Sequence, residues 1–165
     1  MREYREAMSV LGQASPIFLT QALIPHLHGT TIIDVGCGSG LPVSIIRSCW
    51  SSTASWRLER KFPERIVGLD FSATAITYAS KFGAYDEVRL ANAGELPATS
   101  AEFETALSME NLEHLWIDEL GGAIEELIRV SSREVLITTP WPWEVINKQW
   151  LIAELKAAVL DTEVM

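Results

Sequence analysis

The sequence is poor in cysteine, in basic residues and in long apolar runs. Its two cysteines, Cys37 and Cys49, form no C-x-x-C pair, which removes a zinc ribbon or a dithiol redox motif, and no metal is expected. Cys37 lies inside a glycine-rich stretch, so a structural disulfide is not expected and a reducing, cytoplasmic setting is the default. Against 13 Lys and Arg stand 22 Asp and Glu, a net charge of −9. Such a surface disfavours a nucleic-acid partner, which needs a basic face. The one basic cluster, Arg57, Arg60, Lys61 and Arg65, is expected to be a solvated loop. No run approaches the roughly 18 apolar residues of a membrane span. The first residues, Met1-Arg2-Glu3-Tyr4-Arg5-Glu6, lack the basic-then-apolar layout of a signal peptide. What is present is ordinary for a globular protein: 165 residues, 48% hydrophobic and 21% charged, the size of one domain.

One stretch carries most of the information. Thr31-Ile32-Ile33-Asp34-Val35 is an apolar, β-branched run ending near an Asp, and Gly36-Cys37-Gly38-Ser39-Gly40 follows with three glycines at strict alternation. A helix-compatible run starts at Leu41. Strand, glycine turn and helix together present backbone N–H groups and a helix N-terminus to a ligand. The spacing chooses among ligands. A dinucleotide fingerprint needs G-x-G-x-x-G and a P-loop needs G-K-[ST]; neither is here.

Around this turn, strands and helices alternate. Strand one is Thr31–Val35, followed by a helix over about 41–49 that tolerates Pro42 in its first turn. Arg65–Asp70 reads as strand two, and Ser72 caps a helix over Ala73–Phe82 that Gly83 ends. Strands three to five are expected over 87–91, 104–108 and 134–139. Between the last two, Ile117, Leu120, Ile124, Leu127 and Ile128 mark one helical face. Gly121 and Gly122 weaken that helix by about 1 kcal/mol each relative to alanine. Before strand one, Pro16 and Pro25 divide the apolar positions into short helices. Strands separated by helices imply an α/β, parallel sheet with right-handed crossovers.

The pattern D-x-G-x-G-x-G at residues 34–40 resembles the first motif of the class I S-adenosylmethionine-dependent methyltransferases. The segment Ala91-Asn92-Ala93-Gly94-Glu95-Leu96-Pro97 is similar to that family's G-D-A-x-x-L-P stretch, with Asn92 in place of the Asp. Phe103-Glu104 matches its frequent F-D pair, and Ser108-Met109-Glu110-Asn111-Leu112-Glu113-His114 its S-x-x-x-L-E-H segment after strand four. The resemblance spans about residues 32–140 and implies a doubly wound, mainly parallel Rossmann-like sheet of order 3-2-1-4-5, helices on both faces. It divides the single domain into an N-terminal helical cap (1–29), a cofactor-binding core (30–140) and a C-terminal helical segment (141–165).

Roles follow from the match, position by position. Asp34, Gly36, Cys37, Gly38 and Gly40 form the turn that receives S-adenosyl-L-methionine. Asp34 either accepts backbone N–H bonds of the turn or approaches the cofactor's amino group. Asp70, closing strand two, accepts from both ribose hydroxyls. Phe71 lies on the adenine face or in the core. Asn92 accepts from the adenine amine, with Ala93 beside it. Met109 borders the methionine part of the cofactor and the acceptor. His114 is either a general base or a structural histidine bonded to a backbone group. Trp141-Pro142-Trp143-Glu144 either lines an acceptor pocket beside the methylsulfonium or forms a rigid loop.

The implied function is methyl transfer from S-adenosylmethionine to a small-molecule or metabolite acceptor; the alternative is a catalytically inactive cofactor- or partner-binding subunit. No D-P-P-[YW] or N-P-P-[YF] sequence follows strand four and no Pro-Cys pair exists, which argues against adenine, glutamine and cytosine methylases. Asp34 and Asp70 are 36 residues apart, more than a crossover needs, so residues 50–64 are expected to be an insertion. Only 25 residues follow Pro140, so the family's last two strands are expected to be missing. Strand five is then expected to be a sheet edge that a second copy, a partner chain or the C-terminal segment covers, the alternative being that the chain is a fragment.

Overall fold

The computed structural model describes residue 20, residues 23–51 and residues 63–139, without the side chains of residues 49–51. The predicted helical cap before residue 20, most of the insertion with Arg57, Arg60 and Lys61, the 141–144 loop and the final helical segment lie outside the described residues.

The strands are β1 (Thr31–Val35), β2 (Arg65–Asp70), β3 (Glu87–Leu90), β4 (Phe103–Met109) and β5 (Ser131–Thr138). They form one sheet in the order β3-β2-β1-β4-β5, and every pairing is parallel. This is the order the resemblance implies. The helices are α1 (Leu41–Ser51), α2 (Ala73–Phe82) and α3 (Ile117–Val130).

Strand β1 is central and buried on both faces, from Ile32 to Val35. Alternation sends successive side chains to opposite faces, and a parallel sheet buries both under helices. Ile33 and Val35 join Val67, Leu69, Phe103 and Ala106 beneath Leu120, Ile124 and Leu127 of α3. Ile32 joins Ile66 and Leu107 beneath Val43 and Ile46 of α1, with Leu27. From β1 the chain runs outward to β2 and β3, then returns to lay β4 on the other side of β1. The order reverses between β1 and β4, and in open α/β sheets ligands bind beyond the carboxyl ends of the strands at such a point.

Local signals set the predicted boundaries where they are strong. Ser72 Oγ accepts from the N–H of Ala75 at 3.3 Å and starts α2. Gly83, at φ 69°, ends it with its N–H on the Ala79 carbonyl. Where pairing decides instead, the bounds move. Strand β4 begins at Phe103, whose side chain is fully buried. Strand β5 begins at Ser131, directly after α3, because Ser131 pairs with Phe103 and Ser132 Oγ donates to the Phe103 carbonyl. The buried face of α3 is Leu120, Ala123, Ile124, Leu127 and Val130. Ile117, expected on that face, is 49% exposed. Helical side chains lean toward the N-terminus, so one at the first position projects beyond the helix. No helix among the described residues is long and apolar enough to cross a membrane.

Candidate functional site

The carboxyl ends of β1, β2 and β4 converge on the glycine turn. Gly36, Gly38 and Gly40 have φ of 78°, 53° and 87°, the left-handed region that favours glycine. Space demands glycine as well. A Cβ on Gly36 would stand 2.2 Å from Asn111 Cγ, and one on Gly40 2.7 Å from Tyr85 Cε2. The N–H groups of Gly36 and Cys37 both donate to the Leu69 carbonyl at 2.8 Å, which ties the turn to the end of β2.

Asp70 fastens the other side. Its Oδ2 accepts from Gly38 N–H at 2.9 Å and its Oδ1 from Ser72 N–H at 2.8 Å. The residue is 4% exposed. Burial raises its carboxyl above the usual range, and the surrounding N–H groups pull the other way. The carboxylate thus braces both the glycine turn and the cap of α2.

Asp34 is more isolated. Its Oδ2 accepts from the Tyr85 hydroxyl at 2.6 Å. Its Oδ1 is buried without a hydrogen-bond partner among the described residues. Burial pushes its carboxyl up to about 7, the Tyr85 hydroxyl opposes this and the charge of Asp70 adds to it. Burial and Asp34 hold the Tyr85 phenol protonated, so it is the donor. Burial and the two aspartates likewise raise the Cys37 thiol; Cys37 is a packing residue, not a nucleophile.

The remaining predicted residues surround this centre. Phe71, next to Asp70, is 43% exposed, so it is not the core aromatic that the sequence leaves open. Asn92 is exposed, with Oδ1 accepting from Gly94 N–H at 3.2 Å; Ala93 is half-buried. Met109 is buried at the end of β4 in the apolar cluster on the α1 side. His114 sits in a short 3-10 turn, Leu112–His114, and its side chain is 42% exposed. Its Nε2 is 3.9 Å from Glu113 Oε1. Glu113, 9% exposed at the side chain, is pushed up to about 7, chiefly by burial, with the charge of Glu110 adding.

Two residues at the site carry no local signal. Tyr85 reaches Asp34 across 51 positions. Asn111 packs on Gly36 and donates through Nδ2 to Ser108 Oγ at 3.2 Å, joining the end of β4 to the turn. Asn111 does belong to the stretch after strand four, where the resemblance draws attention to His114. Tyr85 belongs to none. No group of His, Cys, Asp and Glu among the described residues is arranged to hold a metal.

The methyltransferase domain family matches residues 33–137, from β1 through β5 and across every residue of this site. The chain belongs to that family, the class I S-adenosylmethionine-dependent methyltransferases. A probable S-adenosylmethionine-dependent methyltransferase of Mycobacterium tuberculosis is 25% identical over 122 residues, 73% of this chain and 39% of its own length. The chain therefore spans about two-fifths of the length of the curated relatives it matches. Among solved structures, the magnesium protoporphyrin IX methyltransferase of Synechocystis with bound S-adenosylmethionine superposes with a TM-score of 0.64 at 14% identity, covering 86% of this chain and 67% of that one. A Haloferax volcanii putative methyltransferase, in complex with the Trm112 activator, gives 0.57 at 18% identity, over 79% and 54%. These likenesses show the fold of the methyltransferase core.

Proposed function

We propose that this methyltransferase domain binds S-adenosylmethionine at residues 34–40 and 70 and transfers its methyl group to a small-molecule acceptor. The observation that carries the reading is the buried Asp34 Oδ1, without a hydrogen-bond partner among the described residues, at the head of a turn whose three glycines hold left-handed φ. A buried polar atom without a partner asks for one, and the strand, glycine turn and helix present backbone N–H groups beside it. The residues present therefore fit the family's cofactor.

Asp70 would accept from the ribose hydroxyls while still bracing Gly38 and Ser72. Phe71, exposed beside it, would cover the adenine. Asn92 would accept from the adenine amine. Asp34, as a carboxylate, would take the cationic amino group on Oδ1. When bound, the cofactor supplies an electrophilic methyl group; the protein's contribution is to orient it and the acceptor. His114 or Glu113, in the turn after β4, would take the acceptor's proton, and a carboxyl pushed up to about 7 suits a base at neutral pH. The net charge of −9 supports a small acceptor over a nucleic acid. Strand β5 is the outermost described strand on its side, and a second copy or partner chain would pair there.

Calorimetry with S-adenosylmethionine and with NAD tests the cofactor: binding of the first alone is expected, and binding of NAD alone overturns the reading. Methyl transfer from labelled cofactor across a metabolite panel tests the activity. Tight binding with no transfer to any acceptor would return the inactive-subunit alternative.

A further inference from the structure

Tyr85 lies in the short link between α2 and β3, remote in sequence from the turn it supports. Its hydroxyl donates to Asp34 Oδ2 at 2.6 Å and lies 3.4 Å from the Cys37 carbonyl. Its ring fills the space cleared by two glycines: a Cβ would stand 2.7 Å from Cε2 at Gly40 and 3.0 Å from Cδ1 and Cε1 at Gly68. Gly68 faces Asp34 across the β1–β2 pairing. The ring is thus wedged beneath the turn, and its hydroxyl reaches one oxygen of the carboxylate while the other has no partner among the described residues.

We propose that Tyr85 is a positioning residue of the cofactor site: its hydroxyl holds Asp34 as a carboxylate, with Oδ1 left for the cationic amino group of S-adenosylmethionine, and so sets the pH below which the cofactor is released. This rests on the reading of the site given above. The titratable groups acting on Asp34 are Tyr85 and Asp70 at the end of β2, and Asp34 in turn acts on the Cys37 thiol in the turn. Burial and Asp70 both favour the neutral acid, and Tyr85 alone of the three favours the charged form. A neutral Asp34 offers a cation little, because the charge-assisted contact is lost.

Tyr85→Phe keeps the wedge and removes only the donor. In the wild type, affinity for S-adenosylmethionine is expected to weaken as pH falls through about 7. In the variant the same fall is expected about one pH unit higher, giving roughly fivefold weaker binding at pH 7, about tenfold in mild acid, and convergence with the wild type at alkaline pH. A uniform loss at every pH overturns the proposal, since it would make Tyr85 a packing residue only. Carbon NMR titration of the Asp34 carboxyl, without cofactor, reads the same contact independently. A higher titration point in the variant is expected, and coincident curves overturn the proposal. Wild-type protein that binds S-adenosylmethionine at no pH overturns the functional reading and the cofactor half of this proposal together. The NMR titration still decides what Tyr85 does to Asp34.

Discussion

The two ends of the sheet use carboxylates in opposite ways. At the amino end, Glu104 accepts from Thr30 N–H at 2.5 Å and from its hydroxyl at 3.0 Å, and these bonds lower its carboxyl below the usual range. Glu134 is partly buried, yet the N–H groups of His28 and Gly29 and the Thr105 hydroxyl hold it low as well. Glu102 is lowered by the Thr99 N–H and by Arg65, and Glu87 by Arg89 and Arg65. At the carboxyl end the direction reverses. Asp34, Asp70, Glu110 and Glu113 are all raised, with burial as the largest cause in each. Glu110 also sits at φ 50°, a strained conformation for a side-chain-bearing residue. One end spends its acids on sealing loops to strands. At the other, burial outweighs the donors each acid has, which costs stability and leaves them ready for a ligand.

Four substitutions break or sharpen this contrast. Asp34→Asn has the largest expected effect. A folded value near 7 against an unfolded 3.8 means that Asp34's own contribution to stability is fullest below pH 3.8 and is lost as pH rises through 7. The loss is on the order of 4 kcal/mol, at about 1.4 kcal/mol per pH unit. Urea unfolding from acid to neutral pH should show this slope in the wild type and a flatter one in the variant. The variant should be the more stable protein above neutrality and should lose cofactor affinity.

Gly36→Ala brings a Cβ to 2.2 Å from Asn111 Cγ at φ 78°, with an expected destabilisation of about 1–3 kcal/mol. Adding Asn111→Ala should restore the steric part and leave the backbone part, as thermal unfolding of the double variant would reveal. Glu104→Gln should act with the opposite pH signature to Asp34→Asn. Its carboxyl is lowered in the fold, so the variant should be less stable at neutral pH and match the wild type once pH falls well below 4.5. A loss that persists in acid would remove the contrast between the ends. Gly122→Ala is the smallest change and lies at neither end. No atom stands within 4 Å of the added Cβ, so α3 should gain about 0.5–1 kcal/mol, seen as a higher urea midpoint.

Much of the scaffold was legible from the chain. Strand β1, the glycine turn, β2, and α2 with both its caps follow from signals within a few residues: β-branched runs, left-handed glycines, a serine N-cap and a glycine C-cap. Limits set by pairing were not legible. Ser131 to Arg133 are polar and carry no strand signal, yet β4 recruits them into β5. At the site, Asp70 was legible as a strand-end carboxylate, but its bracing of Gly38 and Ser72 was not. Tyr85 and Asn111 escaped notice because their contacts cross 51 and 75 positions, and no local pattern encodes a partner so distant.

The sequence by itself determined the strand–turn–helix unit, the alternation of strands and helices and, through them, membership of the methyltransferase family. Those features are written in spacing and conformational preference, which act over neighbours in the chain. Only the tertiary structure decided the state of the acids. Asp34 and Glu104 are both carboxylates at strand positions. One is buried with a single phenol donor, and the other is met by a backbone N–H and a hydroxyl. Charge in a protein is set by desolvation and by the donors that folding brings within reach, and neither exists until the strands have assembled.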